Sequence, residues 1–331
     1  MINPFLLLLL GFTVGILTGF FGVGGAFLLT PAMNILGMQM VHAIGTVFFI
    51  LVANTLFGAV KHHRLGNIDL RLGIIIGIFS AAGVELGKRF VLYLDKLNLS
   101  GTYVRGAYII LLVLICFFMM RDYYLYLKRK LTGQEDETVK MQRKSTLIRQ
   151  IHEIRLPPKI SLFHGEVDSI SIWVLIAFGI LVGFLSGFMG IGGGSVSLPI
   201  LIYVIGVPAV RAVGTALVIV FLTSCYGTAT YATAGSVEWI VALIILAGSL
   251  IGVQMGVYAT KYVTGMRIKI LFALLLLFVA ISVFLKQINM VTISRYLVLS
   301  SACALCLVIL LPLGKNLLAR RSPQGKSKLR P

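Results

Sequence analysis

The chain is dominated by long apolar segments separated by short polar turns. The segments occupy residues 5–37, 40–60, 70–93, 103–120, 171–205, 208–233, 238–260, 268–285 and 294–312. Most reach the roughly 20 residues that an α-helix needs to cross the hydrocarbon core of a bilayer. One such segment could anchor a soluble domain, but this number predicts an all-α polytopic membrane protein.

One glycine-rich sequence occurs twice inside these segments. It reads G-I-L-T-G-F-F-G-V-G-G-A-F-L-L-T-P from Gly15 to Pro31, and G-F-L-S-G-F-M-G-I-G-G-G-S-V-S-L-P from Gly183 to Pro199. Glycine clusters followed by proline disfavour an unbroken helix. Each copy therefore predicts a membrane helix that unwinds midway. Irregular backbone at membrane depth is tolerated only where protein buries it or where it lines a watery cavity, so these breaks are the first candidates for a binding site.

The repeat extends well beyond the glycine-rich sequence. The matched positions are Gly37 with Gly206, Gly45-Thr46 with Gly214-Thr215, Gly58 with Gly227, the turn 66–69 with 235–238, and Gly83-x-x-x-Gly87 with Gly252-x-x-x-Gly256. This order predicts two homologous halves, residues 1–120 and 171–286. Between them, residues 121–170 form a charged linker. An unmatched extra transmembrane helix (287–314) and a basic tail (315–331) follow.

Composition and charge agree with a membrane protein. The chain is 58% hydrophobic and 12% charged, whereas soluble domains carry about 25% charged residues. A net charge of +18 could indicate nucleic acid as a partner. Because Lys and Arg collect in the cytoplasmic loops of membrane proteins, we instead expect the lipid bilayer as partner and no nucleic acid.

The positions of the basic residues predict an orientation. Lys61, Arg64 and Arg71 place the turn 66–69 in the cytoplasm, with the linker and the tail, whereas the turn 233–238 contains no Lys or Arg and is expected outside. These assignments agree if each broken segment enters and leaves by the same face of the membrane. The two halves are then inverted repeats, a known transporter design. In the alternative, each broken segment crosses once, which gives parallel repeats and an external tail.

The breaks have features that favour binding of an anion. A half-helix that begins at Ala26 or Ser195 presents free backbone N–H groups and the positive end of its dipole, and such helix ends bind anions. The candidate substrate-binding residues are Gly22, Gly24, Gly25, Gly190, Gly192, Gly193, Gly194 and Ser195 in the breaks, with Thr46, Asn54, Thr215 and Thr223 lining them. The alternatives are close helix packing for the glycines, favoured for Gly15, Gly19, Gly183 and Gly187, and interhelical hydrogen bonds for the polar side chains.

Glu85 is a candidate for proton coupling. It lies between Gly83 and Gly87 in an apolar segment, where a carboxylate is costly and is often functional. In the alternative it pairs with Lys88 or Arg89, one turn further on.

Enzymatic and cofactor chemistry find little support. An intramembrane hydrolase needs a Ser–His pair or paired carboxylates, and the apolar segments of the second half contain no histidine. The four cysteines fall in apolar segments, and Cys303-x-x-Cys306 has no accompanying ligands, so we expect no disulfide framework, no metal and no cofactor. Nucleotide-binding motifs are also missing.

Taken together, the repeated Gly-x-x-x-Gly-x-x-Gly-x-Gly-Gly ending in Pro, the turn at 66–69 and 235–238, and the later Gly-x-x-x-Gly resemble the sulfite exporter TauE/SafE family, also called the toluenesulfonate uptake permease family. The resemblance covers about residues 5–120 and 171–286. It implies a transporter of the plasma or inner membrane for sulfite and organic sulfur anions such as sulfonates and sulfolactate. The positions that the family marks fall on Gly22, Gly24, Gly25 and Pro31, and on Gly190, Gly192, Gly193 and Pro199. The chain departs in having Ala26 where the second copy has Gly194, and in its linker and extra helix.

The residues and the resemblance together predict a secondary transporter of small anions, with substrate at the interface of the two repeats and alternating access. A passive anion channel of the same fold and a non-transporting membrane partner protein are the alternatives. The sequence leaves open whether the protein forms a homo-oligomer.

Overall fold

The computed structural model describes residues 3–21, 24–64, 66–131, 157–162, 167–259 and 265–321. The helices are α1 (Pro4–Phe21), α2 (Ala26–Ile35), α3 (Met40–Arg64), α4 (Leu70–Lys96), α5 (Ser100–Leu131), α6 (Ile172–Met189), α7 (Gly194–Pro199), α8 (Ala209–Thr233), α9 (Trp239–Ala259), α10 (Gly265–Gln287) and α11 (Val291–Arg321). A π-helix, Ile200–Ile205, continues α7.

Nine of the helices in the described ranges are long and apolar enough to cross a membrane, and only α2 and the segment 194–205 are shorter apolar helices. The prediction of a helical, multi-pass membrane protein is therefore confirmed. Among the described residues, the exception to an all-α fold is a small antiparallel pair of strands inside the predicted linker. It consists of β1 (Lys159–Leu162) and β2 (Val167–Ser171), with Ile160 opposite Ile170.

Two helices run past the boundaries that hydropathy predicts. α5 continues beyond residue 120 to Leu131, and α11 continues through residue 315 to Arg321. Hydropathy marks the edge of the hydrocarbon core of the membrane. Because Leu, Lys and Arg remain good helix formers in water, the helical backbone continues past that edge. The rest of the predicted linker (132–156 and 163–166) and of the tail (322–331) lies outside the described residues.

The first helix of each half packs against the other half. In α1, Gly15 lies against the backbone of Ser249 and Gly19 against that of Val253, so α1 and α9 run parallel. Gly252 of α9 approaches the α1 backbone in return. A Cβ at any of these glycines would overlap a carbonyl group, as in the small-residue seams of membrane helices.

The matching pair, α4 and α6, forms the same kind of seam. Gly83 lies against the backbone of Ile180 and Gly87 against that of Phe184, which again makes the two helices parallel. Gly183 and Gly187 of α6 approach the α4 backbone. The interpretation of Gly15, Gly19, Gly183 and Gly187 as packing glycines is confirmed.

The helices α3 and α8, which match each other in the two halves, cross at the centre in opposite directions. Phe48, early in α3, lies against Gly227, late in α8. Gly58, late in α3, lies against Leu217, early in α8. The rings of Phe48 and Tyr231 are 5.7 Å apart.

These contacts define two ends of the bundle. The turn 66–69 and the start of α8 meet at one end, where Gly214 lies against Asn67. We call it the basic face, because Lys61 and Arg64 end α3 there. The starts of α3 and α9 meet at the other end, where His42 Nδ1 lies 2.9 Å from Glu238 Oε1. We call this end the opposite face.

Candidate functional site

The first break separates α1, which ends at Phe21, from α2, which begins at Ala26. Gly24 and Gly25 have φ angles of +82° and +73°, in the left-handed region that glycine adopts readily. The Gly25 carbonyl accepts the first helical hydrogen bond, from the N–H of Leu29 at 3.1 Å, and no side chain caps the helix. The first N–H groups of α2 are therefore left uncapped by side chains. Gly22 lies outside the described residues.

The second break repeats this geometry between α6 and α7. Gly190, Gly192 and Gly193 have φ angles of +72°, +65° and +82°. The Gly193 carbonyl accepts from the N–H of Ser197 at 2.7 Å, and again no side chain caps the helix. Gly194 and its counterpart Ala26 are the first residues of their helices, so this difference between the halves falls where alanine is acceptable.

Both breaks touch the same two side chains at the centre of the molecule. A Cβ on Gly24 would lie 3.1 Å from Leu51 and 3.5 Å from Val220, and one on Gly192 would lie 3.2 Å from Val220 and overlap Leu51. Leu51 and Val220 occupy matching places on α3 and α8, and both are fully buried. The structure thus brings Gly24 and Gly192 together.

Two polar side chains predicted to line the site lie one turn beyond Leu51 and Val220. The Asn54 Oδ1 atom accepts from Ser249 Oγ at 2.9 Å, and Thr223 Oγ1 lies 2.7 Å from Ser80 Oγ. These bonds agree with the alternative interpretation, in which the polar side chains form hydrogen bonds between helices. However, the Nδ2 group of Asn54 is buried without a protein partner in the described structure. It is a donor that a ligand could satisfy.

The second half also has buried hydroxyl groups without partners in the described structure, those of Ser186, Ser195 and Ser224. Ser186 lies beside the second break, since a Cβ on Gly193 would be 2.9 Å from its Oγ atom. Its counterpart in the first half, Thr18, donates to a carbonyl of its own helix at 2.8 Å. Available donors are therefore more numerous on the second half.

Thr46 and Thr215 have their hydroxyl oxygens engaged at turns. Thr46 accepts from the backbone N–H of Glu238 at 3.0 Å, and Thr215 accepts from that of Asp69 at 3.1 Å. These two bonds hold the chain at opposite faces of the bundle. They give both residues a structural role, and their proposed contact with substrate stays a prediction.

Three hydroxyl groups fix the end of α6, and those of Tyr231 and Tyr108 are not among the candidates from the sequence. Tyr231, Tyr108 and Thr30 donate to the carbonyls of Gly187, Met189 and Gly190 at 2.5, 2.9 and 2.9 Å. Carbonyls at a helix end have no partner within the helix. A tyrosine within an apolar helix was the available signal, because its hydroxyl must find an acceptor when it is buried.

Glu85 is held by an ion pair. Its Oε1 atom accepts from Arg89 Nε at 2.9 Å, and its Oε2 atom accepts from the Thr230 hydroxyl at 2.9 Å. Lys88 Nζ lies 3.8 Å from the same Oε2 atom of Glu85. The pairing alternative is therefore present in the structure, and a role in proton coupling stays a prediction.

Known proteins were compared with the chain as a whole. It matches the sulfite exporter TauE/SafE family over residues 7–283. A probable membrane transporter protein of Methanocaldococcus jannaschii is 28% identical over 71% of the chain and 74% of its own length. The probable membrane transporter proteins YunE and YjnA of Bacillus subtilis are 25% and 28% identical, each over 76% of the chain and over 86% and 87% of their own lengths. No solved structure gave a significant match.

The family match covers well over half of the chain and includes both breaks and the crossing of α3 with α8. It confirms the prediction of a membrane transporter rather than an enzyme. The chain belongs to the sulfite exporter TauE/SafE family.

Proposed function

We propose that this protein is a secondary transporter of small anions, namely sulfur-containing oxyanions or sulfonates, which bind where the two breaks meet. The observation that carries the proposal is the approach of Gly24 and Gly192 to the same pair of side chains, Leu51 and Val220. Transporters of several folds bind substrate where broken helices from two repeats face each other.

The directions of the helices support inverted repeats. α3 and α8 are equivalent in sequence and run antiparallel. A two-fold axis that exchanges two antiparallel helices is perpendicular to them, so for membrane-spanning helices it lies in the membrane plane. The same axis exchanges the parallel pair α1–α9 with the parallel pair α6–α4, because α1 matches α6 and α9 matches α4 in sequence.

The path of the first broken segment supports a re-entrant arrangement. The start of α1 packs near the start of α9, because Gly248 lies against Leu8. The start of α9 lies at the opposite face with the start of α3. Residues 4–39 would then enter and leave by the opposite face. The basic residues of the other end, Lys61 and Arg64, support a cytoplasmic location for that end.

The donors in the site support an anionic substrate. The breaks offer uncapped backbone N–H groups at the start of α2, the Ser186 hydroxyl lies beside Gly193, and the unpartnered Asn54 amide lies one turn along α3 from Leu51. Neutral donors and helix dipoles can replace the hydration of an anion without a buried cation. The family's description as sulfite exporters supports sulfur-containing anions.

The burial of the site supports alternating access over a permanently open channel. Leu51 and Val220 have no exposed surface, and the described glycines of both breaks are buried. A site closed to both sides is the state that a carrier passes through, whereas a conducting pore needs a continuous path. Glu85 is proposed as the group that couples transport to protons.

The test is uptake of radiolabelled sulfite, thiosulfate and a short sulfonate into proteoliposomes, with and without an imposed pH gradient. Saturable uptake that the gradient stimulates would support a coupled carrier. Flux that follows only the electrochemical gradient and does not saturate would favour the channel. Absence of uptake for all three anions would contradict the proposed substrate class.

A further inference from the structure

Three cationic side chains lie at the same place on the opposite face, away from the breaks. Arg105 lies near the start of α5, Lys286 in the last turn of α10 and Arg295 near the start of α11. Arg105 and Lys286 are half-buried, and Arg295 is exposed. Lys286 is within electrostatic reach of both arginines. We call these three residues the cation cluster.

The cluster has no acidic partner among the described residues. Arg105 Nε donates to Gln287 Oε1 at 2.7 Å, and its Nη1 donates to Asn34 Oδ1 at 3.4 Å. Both of these acceptors are neutral. The described ion pairs of the chain involve other residues altogether.

The acids that lie at the same face are engaged elsewhere. Asp95 accepts from Ser100 Oγ at 2.6 Å and from Gln39 Nε2 at 3.0 Å, while Glu238 pairs with His42. Like charges that share a partly buried site destabilise one another, and removing a charge from water is costly without a counter-charge. A bound anion would offset both penalties.

The cluster also lies at the end of a short path from the breaks. Asn34, which binds Arg105, is in the last turn of α2, and α2 begins next to Gly25 in the first break. The helix has 10 residues, which corresponds to about 15 Å at the usual rise per residue. One short helix therefore connects the cation cluster to the first break.

We propose that Arg105, Lys286 and Arg295 form a second anion site, which takes a small oxyanion or the sulfonate group of an organic anion at the opposite face. The identity of the ligand rests on the proposed function, whereas the site itself rests on the uncompensated charges. Gln287 and Asn34 orient the guanidinium group. A planar guanidinium binds an oxyanion through two parallel hydrogen bonds, which a single ammonium cannot do.

The orientation of the protein also favours an anion site at this face. If the basic face is cytoplasmic, the cation cluster lies outside, against the usual distribution of Lys and Arg. A site that binds an anion as it enters from outside, or before it is released there, would explain why these positive charges lie at this face.

The test compares Arg105→Gln with Lys96→Gln in the purified full-length protein. Lys96 is exposed near the same face, at the end of α4, and its replacement removes the same charge away from the cluster. Thermal unfolding is followed in increasing sodium sulfite or sodium sulfate, with sodium chloride at equal ionic strength as reference. We expect the concentration for half-maximal stabilisation to rise about tenfold in Arg105→Gln, as for the loss of a charge-assisted contact. Lys96→Gln should behave as the unsubstituted protein.

Transport separates this proposal from the proposed function. Arg105→Gln should raise the KM for sulfite uptake by a similar factor and change kcat little, and Arg105→Lys should recover part of the loss. Uptake with an unchanged KM in Arg105→Gln would overturn the second site and leave transport standing. Oxyanion binding that depends on Arg105, without uptake of any anion, would support the second site and contradict the proposed transport function. Absence of oxyanion stabilisation in the unsubstituted protein would also overturn the second site. If Arg105→Gln does not fold, Lys286→Gln provides the same comparison.

Discussion

Gly192 of the second half lies directly against Leu51 of the first half, leaving no room for a Cβ atom between them. The same leucine touches Gly24. The centre of the molecule is therefore built by both halves together, and its close contacts can be tested one at a time.

Gly192→Ala should reduce both stability and transport. The substitution adds a Cβ that overlaps Leu51, at a φ of +65°. Gly235→Ala is the matched control, because Gly235 has a φ of +68° and no heavy atom within 4 Å of an added Cβ. The control should cost only the left-handed strain, about 1–2 kcal/mol. Thermal unfolding and uptake rates measure both variants, and equal losses in the two would contradict the importance of the Leu51 contact.

Gly183→Ala should prevent normal packing of α4 against α6. The added Cβ would overlap the Ser80 carbonyl, whereas a Cβ on Gly106 meets nothing within 4 Å. Gly106→Ala should be neutral or stabilising by up to about 1 kcal/mol, the gain in helix propensity. The yield of monodisperse protein and its Tm provide the measurement. A stable Gly183→Ala variant would mean that the seam can relax.

Asn54→Leu should abolish transport without unfolding the protein. The variant removes a buried amide group that has no partner for its Nδ2 atom in the described structure. Ser249 retains a hydrogen bond to the Leu246 carbonyl at 3.1 Å. Because an unsatisfied group is lost, the stability should change by only about 1 kcal/mol. If uptake persists in a folded variant, Asn54 serves packing alone.

Glu85→Gln should abolish the stimulation of uptake by a pH gradient, if the carboxylate carries the coupled proton. Arg89→Gln breaks the 2.9 Å ion pair but keeps the carboxylate, so it should retain the stimulation. Initial uptake rates with and without the gradient decide between them. If stimulation survives in Glu85→Gln, the residue forms a structural ion pair and the coupling site lies elsewhere.

Cysteine labelling tests the inverted repeats. Arg64 and Thr233 hold matching positions in the two halves, two residues before the matched glycines of the turns, and both are exposed. In a background without the four native cysteines, Arg64→Cys should react from the cytoplasmic side and Thr233→Cys from outside. Labelling of both from the same side would contradict the proposed topology.

The positions of the breaks could be predicted because glycine carries a backbone signal. Gly24, Gly192 and Gly193 adopt φ angles that other residues rarely accept, and the repeat identified them twice. The close glycine seams were equally readable from their spacing. In contrast, Leu51 and Val220 could not be singled out, because one apolar residue in an apolar helix resembles every other.

The partners of the polar residues also escaped prediction. Asn54 and Thr223 were candidates from their chemistry, but their bonds to Ser249 and Ser80 depend on which helices pack together. That packing is determined by an exchange between the halves, in which the first helix of each half packs against the other half. Sequence alone does not specify it, since a glycine seam identifies a close contact without naming the helix on its other side.

That exchange has a consequence for how the protein is made. Because α1 packs against α9, the glycine seam of α1 can close only after nearly the whole second half has been synthesised. A half synthesised alone would expose two unfilled seams to lipid. Two copies of such a half, inserted in opposite orientations, could close each other's seams. An antiparallel pair of half-size subunits is therefore a self-consistent ancestor from which a gene duplication could have produced this chain.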